Sequence, residues 1–382
     1  MNKKLSYTKK NVLHSIILLL LCAAVVRIGM VIVPRIKMYT DPYYTENTYK
    51  SLENAFNHSQ YRQKKNPGII PDETVYSYAA GAYLHGIDPI LINSERTPLG
   101  KYFFSLSILL FKNDKLIILP FGLLTLVALW LLGSLVIGDR WLALIPVVLL
   151  SFEPLFLNQF VYVPLLDIVQ LPFILLSMYF FIREQKRDWF WVTAVMVGFV
   201  MATKTIYTGL LLYTVFGIFL AITHQYKKIL TLLLSVPVSG GIFCLSYLRT
   251  FISGYSLNQF IGFQKWILLY DQSKLLYPFS IWKLVFLNQW QAWWGDFSIL
   301  HATDWQITWP FFSGVTFVTG ILVLLRKLKT FPALSVTLLW ILIYGIFISL
   351  GISSSRFLLP FLPVSYIIAT YAISRIFEKE ER

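Results

Sequence analysis

Two short stretches carry side chains whose types and spacing could do chemistry. Pro71-Asp72-Glu73-Thr74-Val75-Tyr76 sets two carboxylates at the first turn of an expected helix. Tyr76, Ala79, Ala80 and Tyr83 follow at helical spacing, and Gly86 is its stop. The pattern predicts an amphipathic helix lying on a membrane surface. The plainest role for the acids is structural, with Asp72 as N-cap and Glu73 favouring the positive end of the helix dipole. The second stretch is Glu95-Arg96-Thr97-Pro98-Leu99-Gly100-Lys101-Tyr102, two cations and an acid just before an apolar segment. Such cations either snorkel to headgroups or hold a phosphoester, Arg96 as a planar fork and Lys101 as a point charge. Four further charges, Glu153, Asp167, Lys204 and Arg356, fall near the ends of apolar runs. Ionisable groups in a membrane are expensive and point to function unless they pair; Asp167 with Lys204 is such a pairing.

The elements that must position these groups are membrane helices. Of 382 residues, 57% are apolar or aromatic and 14% charged, against about 25% charge in an ordinary soluble domain. The apolar residues lie in runs long enough to cross about 30 Å of hydrocarbon. Ten spans are expected: 12–33, 115–137, 141–157, 161–182, 188–203, 204–222, 229–250, 307–326, 331–350 and 354–377. The net charge of +14 is concentrated in the short stretches 1–11, 138–140, 183–188, 223–228, 326–329 and 375–382, which ten spans place on the cytoplasmic side with both termini. The charge is therefore a topology signal, and a nucleic-acid partner is excluded. The segment 99–111 is short for a span and is placed at the outer interface. Loops 34–98 and 251–306 fall outside, with Trp290, Trp293 and Trp294 suited to the headgroup zone. Cys22 and Cys244 sit inside apolar spans, without metal-ligand spacing. The first span is too long for a signal-peptide core and is read as a retained helix. No internal repeat is visible.

The order Asp-Glu-x-x-Tyr, an Ala-containing helix, then x-x-Pro-Leu-Gly-Lys resembles the first outer loop of the protein O-mannosyltransferases and their bacterial relatives among the C-type (GT-C), polyprenyl-phosphate-dependent glycosyltransferases. That family usually shows His-Pro-Pro-Leu-Gly-Lys, where this chain has Arg96-Thr97 in place of His-Pro. Glu95-Arg96-Thr97-Pro98-Leu99 is also similar to the Glu-Lys-Pro-Pro-Leu of the aminoarabinose-to-lipid-A branch. Leu165-Leu166-Asp167 resembles the family's Leu-Asp at the outer end of a helix, without the usual preceding Arg. Lys204 resembles the Lys at the outer turn of a hairpin. His301 through Trp309-Pro310 resembles a His…Trp-Tyr-x-Trp-Pro stretch, with Trp305 and Trp309 offset by one. Arg356 to Pro360 resembles the segment opening the last span. The 56 residues of 251–306 are too few for the β-trefoil found there in eukaryotic members.

The resemblance implies an all-α, polytopic GT-C-like bundle of about 10–11 transmembrane helices with juxtamembrane helices in the first outer loop. It implies a catalytic module over 1–250, an outer loop over 251–306 and a three-span region over 307–382. It implies an inverting transfer of sugar from a polyprenyl-phosphate carrier to an acceptor hydroxyl on the outer face of a bacterial plasma membrane, O-mannosyltransferase-like on protein Ser or Thr, with an envelope glycan as the other acceptor. Asp72 then takes the acceptor proton and Glu73 assists. Arg96, Lys101, Lys204 and Arg356 hold the donor phosphate. Tyr76, Glu95, Asp167, His301, Trp305 and Trp309 contact substrate. A divalent cation, Mg or Mn, is compatible with this chemistry, although no tight acidic or His cluster calls for it. A nucleotide-sugar enzyme is excluded, for want of a Rossmann domain or Gly-rich phosphate loop. The alternatives are a transporter or flippase of lipid-linked sugars, and an envelope-glycan ligase or polymerase.

Overall fold

The computed structural model describes residues 2–65, 67–187, 189–272, 277–292, 298–325 and 332–380. Trp293, Trp294 and the basic stretch 326–329 lie outside the described residues. In chain order the helices are α1 (Asn2–Ile32), α2 (Ile36–Thr40), α3 (Glu46–Asn57), α4 (Asp72–Leu84), α5 (Leu99–Phe111), α6 (Ile118–Ile137), α7 (Leu144–Phe152), α8 (Pro154–Leu157), α9 (Leu166–Glu184), α10 (Trp191–Thr203), α11 (Ile206–Ile222), α12 (Tyr226–Ser246), α13 (Leu248–Ile252), α14 (Leu257–Gln272), α15 (Ser280–Leu287), α16 (Thr308–Leu325), α17 (Pro332–Ser349) and α18 (Leu362–Glu380). Among the described residues the one sheet is a pair of two-residue strands, β1 (Trp290–Gln291) and β2 (Ile299–Leu300), within the 251–306 segment. The chain is an all-α, multi-pass membrane protein. Residues 11–40, α6, α9, α12 and α17 are long and apolar enough to cross a bilayer. Residues 99–111, 191–203, 206–222, 308–323 and 362–376 form shorter apolar helices.

The third expected span, 141–157, is not one helix. α7 stops at Phe152 because Pro154 lacks an N–H and pushes the residue before it out of the helical region; Glu153 is extended, with ψ 117°. The break leaves the Glu153 carboxylate buried where three segments meet. It accepts from Trp309 Nε1 at 3.0 Å on α16, from the Tyr366 hydroxyl at 2.6 Å on α18, and from Leu155 N at 3.4 Å on α8. A buried carboxylate with such donors is satisfied rather than stranded.

The helix at 72–84 forms as expected and ends as expected, with Gly86 in the left-handed region at φ 82°. It does not present a single apolar face to a surface. Every residue from Val75 to Tyr83 is buried, because α3 and α5 pack against it. The Tyr44 hydroxyl donates to Ser77 O at 2.9 Å and Ser105 Oγ to Ala80 O at 2.8 Å. Nor is Asp72 the N-cap: Pro71 holds that position and Asp72 begins the helix, its carboxylate free to turn elsewhere.

Segment 99–111 is the single helix α5, packed on α4, α9 and α10. Gly100 makes that docking possible. A Cβ there would lie 2.5 Å from Leu166 Cδ2 and 2.7 Å from the Thr203 carbonyl oxygen. Gly100→Ala should therefore lower unfolding stability in detergent by about 1–3 kcal/mol, the usual cost of forcing extra volume into a packed site. An unchanged denaturation midpoint would show that α5 is not seated against the α10–α11 turn.

Candidate functional site

Three cations from three separate segments meet at one cavity. Arg96 stands in the loop before α5. That loop begins at Asn93, whose φ of 49° turns the chain sharply; Arg96 N donates to Asn93 O at 3.1 Å and Thr97 N to Lys204 O at 3.3 Å. Lys204 occupies the break between α10 and α11. Thr205 starts the next helix by accepting from Tyr207 N at 3.4 Å, so Lys204 is held between two helix ends. Its ammonium pairs with Asp167 in the first turn of α9. Arg356 sits in the 3-10 turn Ser355–Leu358 ahead of α18, where the Ser355 hydroxyl donates to Asp304 at 2.9 Å. The cavity measures about 370 Å³, and its wall includes Arg96, Asp167, Lys204, Tyr207, Asp271 and Arg356.

Arg356 also reaches beyond the cavity wall. Its guanidinium pairs with the Asp72 carboxylate. The Tyr61 hydroxyl lies 3.5 Å from Asp72 Oδ1 and the Tyr76 hydroxyl 3.4 Å from Oδ2. Burial pushes the Asp72 carboxyl up, but Arg356, with Arg96 and Lys204 behind it, outweighs burial and holds it below the ordinary carboxylate value. Burial would lower Arg356; Asp72 and Asp167 beside it raise it instead. The arrangement offers a cationic pocket for an anionic group, with an ionised carboxylate on the other side of a shared arginine.

Of the residues expected to act together, Asp72, Arg96, Asp167, Lys204 and Arg356 do converge. Tyr76 is buried and supports Asp72 through its hydroxyl. Glu95 faces Asn93, accepting from Nδ2 at 2.7 Å. Glu73, one residue past Asp72, forms no ion pair among the described residues.

Four expectations are corrected. Lys101 does not reach the cavity: it is fully buried, with its ammonium on the backbone carbonyls of Asn93 at 3.0 Å and Arg96 at 2.9 Å. Burial pushes that ammonium down to about 7, against the pull of Glu95. Trp309 is core, committed to Glu153. Trp305 donates its indole N–H to Val285 O at 3.0 Å, tying the chain before α16 to α15. His301 is exposed, away from the cavity wall. Two contributors had no motif. Tyr61 stands just before the basic run Arg62 to Lys65, and Asp271 is the lone acid of α14, a helix that also carries Lys265 and several amides, so nothing in the sequence set either apart. Arg356 comes to the cavity from the C-terminal region, as expected of it. Among the described residues no group of three His, Cys, Asp or Glu side chains is placed to hold an ion.

Residues 95–253 match the family model described as dolichyl-phosphate-mannose-protein mannosyltransferase. No curated protein matches the chain by sequence. The solved structure of ArnT from Cupriavidus metallidurans bound to undecaprenyl phosphate aligns with a TM-score of 0.63 at 16% identity, covering 94% of this chain and 60% of that one. The same protein in its apo state gives 0.57 at 16% identity, over 81% and 57%. The chain has this fold, and its resemblance to the C-type glycosyltransferases stands. It spans about 60% of the length of the ArnT chain.

Trp309→Phe removes a donor from the buried Glu153 carboxylate. It should cost about 1.5–3 kcal/mol of unfolding stability, the loss of one hydrogen bond to a charged group, whereas His301→Ala should leave stability unchanged. Denaturant titration in detergent measures both. A Trp309→Phe protein as stable as its parent would return Trp309 to the list of site residues.

Proposed function

We propose that the chain is an inverting glycosyltransferase that moves a sugar from a polyprenyl-phosphate carrier to an acceptor hydroxyl on the outer face of the membrane. The observation that carries this is the convergence of Arg96, Lys204 and Arg356 on one cavity, with Asp72 bound to the far side of Arg356. The family-model match over 95–253 favours mannose as the sugar and protein Ser or Thr as the acceptor. The likeness to a fold solved with undecaprenyl phosphate favours that class of carrier.

In this reading the donor phosphate lies against the cavity cations, its lipid tail toward the bilayer. The acceptor hydroxyl oxygen attacks the anomeric carbon from the side opposite the phosphate. The bond from that carbon to the phosphate oxygen breaks, and the electron pair leaves on the phosphate. Arg96, Lys204 and Arg356 stabilise that growing charge. Asp72 accepts the hydroxyl proton as the new bond forms. Arg356 touches both the base and the leaving-group pocket, so it fixes one relative to the other. Glu73 has no defined task in this geometry beyond the first-turn charge it shares with Asp72.

The outer orientation follows from the basic short loops. A cysteine placed at Asn57 should react with an impermeant thiol reagent added outside intact cells, and one at Gln185 only after permeabilisation. Labelling of position 57 solely from the cytoplasm would reverse the site's orientation.

Asp72→Asn tests the chemistry. It removes the proton acceptor with little change in volume, so transfer from a polyprenyl-phosphate sugar should fall by about 10²–10⁴-fold while donor binding persists. Near-normal transfer with Asn at position 72 would overturn the assignment of Asp72 as base, whereas a chain that shows no transfer but moves lipid-linked sugar equally well with Asp or Asn at position 72 would be a flippase. pH gives an independent check. A carboxyl lowered in the folded protein stays ionised until the pH drops below its ordinary value of about 3.9. The acid limb of kcat/KM should therefore lie below that value, and Arg356→Gln should move it upward. A limb that Arg356→Gln does not move belongs to some other group.

A further inference from the structure

We infer that Lys101 is a positioning residue: its enclosed ammonium clamps the Asn93–Thr97 loop and so sets the Arg96 guanidinium at the cavity wall. The inference rests on the donor-phosphate role proposed above for Arg96.

Lys101 has no solvent-exposed surface, and burying an ammonium is costly unless its protons are taken up by acceptors. An ammonium carries three donors. Here they meet Asn93 O at 3.0 Å, Asn93 Oδ1 at 3.5 Å and Arg96 O at 2.9 Å. Every acceptor belongs to the loop that presents Arg96, and one is the carbonyl of Arg96 itself. The ring of Tyr83 from α4 closes over the ammonium at 5.7 Å. A cation so enclosed cannot also reach a phosphate in the cavity.

The two ends of the clamp differ in rigidity. Lys101 is mounted in the first turns of α5, which Gly100 seats against Leu166 and Thr203 and which Ser105 ties to Ala80. The loop has fewer ties of its own. Arg96 N bonds Asn93 O, Thr97 N bonds Lys204 O, and the Asn93 amide bonds Glu95. The Arg96 carbonyl gains its side-chain tie from Lys101. Releasing that tie frees the backbone from which the guanidinium projects, without changing any group that lines the cavity.

The test is a double-mutant cycle on binding of undecaprenyl phosphate to the purified, full-length protein, a readout that needs neither sugar nor acceptor. Arg96→Gln and Lys101→Met should each weaken binding about ten- to a hundredfold, the loss of one charge-assisted contact. The double variant should bind no more weakly than Arg96→Gln alone, because Lys101 acts only through Arg96. A general structural role would instead give losses that add. Additive losses, or a Lys101→Met protein that binds as the wild type does, would overturn the inference. If Lys101→Met does not fold, Lys101→Gln, which keeps amide donors, enters the same cycle under the same criteria. Wild-type protein that fails to bind undecaprenyl phosphate defeats the Arg96 reading itself, and binding by wild type that Arg96→Gln leaves intact does the same.

Discussion

The Asp72–Arg356 ion pair joins two residues 284 positions apart in the chain. One is on a helix of the first outer segment, the other in the turn that opens the last helix. Both are only partly exposed, so either one alone would be left as a poorly solvated charge. That constraint fixes much of what surrounds it. α4 must be enclosed by α3 and α5 to bring Asp72 in from the surface. α5 must in turn sit on α9 and α10, and Gly100 is the residue small enough to allow it. The loop ahead of Gly100 then carries Arg96 to the same place. An ion pair that stabilises little by itself can still specify where a whole segment docks.

The site is balanced at rest. Arg96, Lys204 and Arg356 face Asp72, Asp167 and Asp271 in or beside the cavity. Paired charges avoid much of the penalty that three isolated cations would suffer in a largely apolar setting. An entering phosphate therefore meets cations already partly committed, and its attraction is the difference between two sets of partners. Discrimination among anions follows from geometry more than from net charge.

Much of this was legible in the residue order. The apolar runs placed the helices, and the motif around Asp72 and Arg96 marked the right loop. Lys204 and Arg356 stood out as charges at the ends of apolar spans. What could not be read was direction. Lys101 and Arg96 are both cations in one motif, yet one turns into the protein and the other to the cavity, because only the fold decides which backbone carbonyls lie within reach. Trp309 matched a motif but packs against Glu153, a partner 156 residues distant. α4 showed an apolar stripe at helical spacing, and the rest of its surface is covered by α3 and α5, whose packing leaves no periodic trace in α4 itself. Pro154 was visible, and its consequence for 141–157 follows from its missing N–H.

Glu153 also bears on how the chain is made. Its donors on Trp309 and Tyr366 are encoded 156 and 213 residues later. At synthesis rates of about 5–20 residues per second, roughly ten to forty seconds separate the emergence of Glu153 from that of Tyr366. During that time α7, only nine residues long, is attached to a carboxylate without its partners. A segment so short and so burdened has little reason to settle across the bilayer alone. The Glu153 carboxylate gains its full set of donors only once α16 and α18 are in place, so the packing of this region is completed late.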